Sequence, residues 1–115
     1  MSKLTTHVLD TMTGEPAARL KIELFIIKEN GQLKSLQIAT TNADGRVDNA
    51  LLESNNFKPG VYMLNFHAGD YLRFHGRASD FLDIIPIQFT VTDTSRHYHV
   101  PLLLSAYGYS TYRGS

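Results

Sequence analysis

The sequence predicts an all-β fold, a two-sheet antiparallel β-sandwich with one short helix. Three observations lead there. Turn signals recur about every ten residues, as in sandwiches and barrels. The segments between them alternate apolar and polar residues at period two. No apolar run approaches the roughly 18 residues of a membrane span. The 115 residues fit one domain, 1–115.

The punctuation is Gly14-Glu15-Pro16, Glu29-Asn30-Gly31, Asn42-Ala43-Asp44-Gly45, Asn55-Asn56-Phe57-Lys58-Pro59-Gly60, His67-Ala68-Gly69 and Thr92-Asp93-Thr94. Between these marks lie the expected strands. Thr6-His7-Val8-Leu9 is a short strand-like segment. Lys21 to Lys28 puts Ile22, Leu24 and Ile26 on one face, and Leu33 to Thr41 follows after the Asn30-Gly31 turn. Val61 to His67 sets Tyr62, Leu64 and Phe66 together. Ile85 to Val91 alternates Ile85, Ile87, Phe89 and Val91 against Pro86, Gln88 and Thr90. His97 to Ser105 alternates Tyr98, Val100, Leu102 and Leu104 against His97, His99, Pro101 and Leu103. Asp70 to His75 reads as a single helical turn with Asp70 as its N-cap.

The second face of His97–Ser105 is unusual. Pro101 and Leu103 make it too apolar for plain solvent, and two histidines make it too polar for a core. It is either an edge strand with a stray Leu or a face buried against another copy of the chain.

Composition removes several function classes. Lys+Arg and Asp+Glu are each 11, so no basic excess attracts phosphate backbones or anionic lipid. No nucleic-acid or membrane partner is expected. A near-zero net charge leaves self-association open. Cysteine is absent, which excludes disulfides, thiolate metal sites and a Cys nucleophile. The first residues carry no apolar signal segment, so a cytoplasmic location is expected unless such a segment has been removed.

The candidate chemistry lies in five histidines. His97 and His99 leave the same face of a strand, and His7 sits on a strand of its own. Such imidazoles can hold a metal with an open position for water. They can equally act without metal as general base and acid, or be surface histidines. Arg46, after the Asp44-Gly45 turn, is either solvated or a planar donor fork for a carbonyl or carboxylate substrate.

Three blocks add to this reading: His7-Val8-Leu9-Asp10-Thr11-Met12-Thr13-Gly14-Glu15-Pro16-Ala17; Thr41-Asn42-Ala43-Asp44-Gly45-Arg46; and Tyr98-His99-Val100-Pro101-Leu102-Leu103-Leu104-Ser105, continuing through Tyr107 to Tyr112-Arg113-Gly114-Ser115. Together they resemble the transthyretin-like family and, within it, the 5-hydroxyisourate hydrolases. The terminal Tyr-Arg-Gly-Ser is the most specific part. The resemblance implies a transthyretin-like sandwich assembled as a homotetramer, with sites in a channel between dimers. It implies hydrolysis of a ring amide of 5-hydroxyisourate to 2-oxo-4-hydroxy-4-carboxy-5-ureidoimidazoline. The implied catalytic residues are His7, Arg46 and His99. The implied substrate contacts are His7, Arg46, Tyr112 and Ser115. Neither cofactor nor metal is implied, and His97 matches no functional position. A non-catalytic carrier of small ligands is the alternative within the same fold. Ala106 stands where the family usually has Pro, with a small effect on stability or tail order expected. His67 and His75 fall outside the three blocks and are expected to be structural or surface residues.

Overall fold

A computed structural model of the chain describes residues 2–114. The strands are β1 (Lys3–Asp10), β2 (Glu15–Pro16), β3 (Lys21–Ile27), β4 (Leu33–Thr40), β5 (Leu52–Glu53), β6 (Gly60–His67), β7 (Ile84–Val91), β8 (Tyr98–Leu104) and β9 (Tyr109–Thr111). A 3-10 turn (Ser54–Asn56) follows β5, and one helix, α1 (Ala68–Phe74), links β6 to β7.

Two sheets form, one in the order β2-β1-β8-β9 with β5 also on β1, the other β4-β3-β6-β7. The alternation written in the sequence decides which side of each strand is buried. Leu4, Thr6, Val8 and Asp10 of β1 point inward, as do Tyr98, Val100, Leu102 and Leu104 of β8. They meet Ile22 and Leu24 of β3, Tyr62, Leu64 and Phe66 of β6, and Ile85, Ile87 and Val91 of β7. Burial of this apolar set, at about 25 cal/mol per Å², is the main stabilising term.

The expected sandwich is therefore present, with one addition. Among the described residues every ladder is antiparallel except β1 with β8, which run parallel in unbroken register from Leu4↔Tyr98 to Asp10↔Leu104. This pair sets Thr5 opposite His99 and His7 opposite Pro101.

The helix departs from expectation at its start. It begins at Ala68, with His67 rather than Asp70 at the N-cap and no side-chain cap bond. Asp70 instead sits in the first turn and accepts a 2.7 Å hydrogen bond from Arg73. An i,i+3 ion pair within the helix thus takes the carboxylate that a cap would have used.

Two buried polar groups fasten the chain. Asp10, 1% exposed, accepts from the Tyr71 hydroxyl at 2.8 Å and from the Met12 amide at 2.9 Å, and lies 3.4 Å from Arg77 Nη1. The Thr41 hydroxyl donates to the Ala17 carbonyl at 2.7 Å and accepts from the Leu20 amide at 2.9 Å. Each is satisfied, as burial of a polar group requires.

Candidate active site

The site grows from the outer face of β1 and from its edge opposite β8. That edge is shared among three short partners. β5 pairs at Lys3 and Leu4, β2 pairs at Leu9 and Asp10, and between them a single bridge joins His7 to Arg46. Arg46 is therefore delivered beside His7 by backbone pairing.

The loop that carries Arg46 is organised by Asn42. Its side-chain oxygen accepts from the Asp44 amide at 2.9 Å and the Arg46 amide at 3.2 Å. Its amide nitrogen donates to Asp48 at 2.9 Å. This is the local side-chain bonding that suits Asn to turns. Gly45 is obligatory in this loop: its φ is +73°, and a Cβ there would lie 2.5 Å from the Val8 carbonyl oxygen.

His7 and His99 stand on the outer face of adjacent strands with stacked rings, 6.5 Å between centroids and 28° between planes. Both are half-buried. Burial holds the His7 imidazole below its ordinary range, with the Arg46 charge adding to it; a backbone hydrogen bond to Asp44 and the Asp44 carboxylate pull the other way. For His99 the cause is again burial first, then Arg46, then His7. Both shifts favour the neutral ring, the form that accepts a proton.

The remaining edges of His99 are fixed. Thr5 Oγ1 lies 2.8 Å from Nδ1. The tail folds back as a bridge between His99 and Gly114, the Gly114 amide donating to the His99 carbonyl at 2.7 Å. A Cβ on Gly114 would fall 2.6 Å from His99 Cδ2, so the tail approaches this closely only because the residue is Gly. A cleft of about 340 Å³ opens here, lined by Lys3, Thr5, Arg46, His97 and His99.

The structure thus brings His7, Arg46 and His99 together with the tail backbone. Tyr112 follows directly on β9 and is not among the residues that line this cleft. Tyr112 is 58% exposed and borders a second cleft of about 350 Å³ with Ile87, Phe89, Tyr98 and Val100. Ser115 lies outside the described residues. His97 shares the cleft, but its Nδ1 accepts the Lys3 amide at 3.2 Å. His67 lies 4.0 Å from Asp70, and at the far end of α1 the His75 ring meets Tyr71 at a tilt and Phe74 edge-on. Thr5, Asn42 and Gly114 received no individual role in the sequence reading. For Thr5 the available signal was its position two residues before His7 on the same face of a strand.

Comparison with known proteins places these features in a family. The family model described as HIUase/Transthyretin family matches residues 4–114. The chain is 52% identical to 5-hydroxyisourate hydrolase 2 of Rhizobium meliloti (strain 1021), over 98% of this chain and 96% of that protein. It superposes on the structure of Klebsiella pneumoniae 5-hydroxyisourate hydrolase with a TM-score of 0.84 and 33% identity, covering all of both chains (100% of each). Sea bream transthyretin in complex with thyroxine has a TM-score of 0.91 at 26% identity, over 97% of this chain and 94% of that one. The chain belongs to the HIUase/Transthyretin family.

Proposed function

We propose that this protein hydrolyses 5-hydroxyisourate, an unstable product of urate oxidation, at a ring amide. The observation that carries the reading is the pair of imidazoles stacked on a single sheet face, with Arg46 bridged to His7 beside them. A carrier of apolar ligands has no use for acid–base groups in that position. The hydrolase name of a relative at 52% identity, against 26% for the thyroxine-bound transthyretin, also favours the enzyme.

In this mechanism Arg46 grips a carbonyl of the flat heterocycle and stabilises the oxyanion that forms on it. His99 takes a proton from water as the water oxygen bonds to the carbonyl carbon. The carbon–nitrogen bond then breaks, and the ring nitrogen receives a proton passed on through His7. The products of the step are a carboxylate and a free ureido nitrogen, so no cofactor or metal is required for balance. Tyr112 and Ser115 would close the pocket over the substrate.

The face that holds the site also carries Leu9 and Leu103, half-buried, and the buried Pro101. An apolar face of this kind fits a channel between copies, and a homotetramer with symmetric contacts would supply the concavity that one copy lacks. The single domain, 1–115, would then be complete only as an assembly, acting in the cytoplasm. Native mass spectrometry reads the assembly directly.

The test of function is the ultraviolet decay of 5-hydroxyisourate made fresh from urate with urate oxidase. Buffer, the protein and His99→Ala are compared. Faster decay with the protein and not with the variant supports the reading. No acceleration by the folded, untagged protein rejects it.

A further inference from the structure

We propose that Thr5 is a positioning residue for His99, its hydroxyl oxygen accepting the Nδ1–H of the ring so that the unprotonated Nε2 faces the attacking water. The inference rests on the hydrolase reading above, with His99 as the base.

The contact is built into the fold. Thr5 and His99 are register partners on the parallel strands β1 and β8, and their side chains leave the same outer face. The Oγ1–Nδ1 distance of 2.8 Å is that of a formed hydrogen bond. A β-branched threonine has few χ1 options, so the hydroxyl is held where the ring needs it.

The direction of the bond follows from chemistry. A neutral imidazole carries its proton on one nitrogen only. Were the hydroxyl to donate to Nδ1, the proton would reside on Nε2, and Nε2 could accept nothing from water. With the hydroxyl accepting, Nδ1 keeps the proton and Nε2 offers a lone pair. The other groups near the ring do not fill this role. Arg46 and His7 act on it through charge. Gly114 packs its backbone against the Cδ2 edge. His97 is occupied with the Lys3 amide. Among the described residues Nε2 has no hydrogen-bond partner, and His99 is one of the residues that line the cleft.

The test has a readout that is independent of turnover. Nitrogen-15 spectra of the His99 ring are recorded near pH 8, where the imidazoles are neutral, for the wild-type protein, Thr5→Val and Thr5→Ser. The expected result is a protonated Nδ1 and a bare Nε2 in wild type and Thr5→Ser, and loss of that pattern in Thr5→Val. In parallel, kcat on 5-hydroxyisourate should fall about tenfold to a hundredfold in Thr5→Val, a fraction of what a general base supplies. KM should stay nearly unchanged, and Thr5→Ser should restore kcat. A wild-type ring protonated on Nε2 overturns the proposal, as does a folded Thr5→Val with wild-type kcat. If Thr5→Val fails to fold, the wild-type and Thr5→Ser spectra decide alone. A wild-type protein that shows the expected tautomer but no turnover overturns the hydrolase reading and leaves the Thr5 contact standing.

Discussion

Arg46 acts on two imidazoles at once, and this gives the site its expected response to pH. Burial and the guanidinium both favour the neutral rings. The base form therefore survives to lower pH than it would on an exposed histidine. The acid limb of kcat/KM should lie below the ordinary imidazole pKa of about 6.5. Replacing the charge in Arg46→Gln should move that limb upward while lowering the rate; a limb that does not move would separate Arg46 from the histidines. The same depression bears on stability. As pH falls below the unfolded-state pKa, the unfolded chain binds protons that the folded rings refuse, so the folded state loses ground until the folded pKa is passed. Urea midpoints between neutral and mildly acid pH should fall accordingly. His99→Ala removes the base and should cost about 10²–10⁴ in rate with the fold intact, as read by ultraviolet decay alongside circular dichroism.

At the scale of elements, two glycines decide where functional groups stand. Gly45 lets the Asn42–Arg46 loop pass against the Val8 carbonyl, and Gly114 lets the tail lie on His99. Gly45→Ala meets both a positive φ and a backbone clash, so a loss above about 1 kcal/mol is expected, measured by denaturant unfolding. Gly114→Ala meets no positive φ and crowds only the His99 side chain, from its Cβ to the Cδ2 edge of the ring. It should cut activity sharply while leaving the melting temperature near that of the wild type. A peptide fused after Ser115 should likewise impair turnover, and full activity of such a fusion would count against the tail. The strands and the Asp44-Gly45-Arg46 turn were readable because alternation and turn chemistry are local. The start of α1 was misread because Asp70 had two ways to spend its carboxylate, and pairing with Arg73 won. The place of Thr5 on the His7 face was readable, but its contact with His99 was not, because that depends on a register between residues 94 positions apart. Tyr112 and Ser115 entered through family resemblance, and Tyr112 borders a different cleft from the one at His99.

The whole molecule is tied together by contacts distant in sequence. Asp10, at the end of β1, reaches Tyr71 of α1 across 61 positions. Burial and the neighbouring carboxylate push the Tyr71 hydroxyl up to about 12, so it remains a donor at any physiological pH. Tyr71→Phe would leave a nearly inaccessible carboxylate short of one partner and should cost about 1–3 kcal/mol in urea unfolding. Longer still is the closure of β1 against β8, in which residues near the first turn of the chain meet residues near its end. The consequence concerns synthesis. A chain emerging from the ribosome exposes His7 early, yet the parallel ladder and the tail bridge cannot form until the segment that carries β8 and Gly114 has followed. Closing so large a loop is entropically slow and comes late. A nascent chain that stops short of β8 holds His7 without His99 beside it and lacks the strand that completes the sheet.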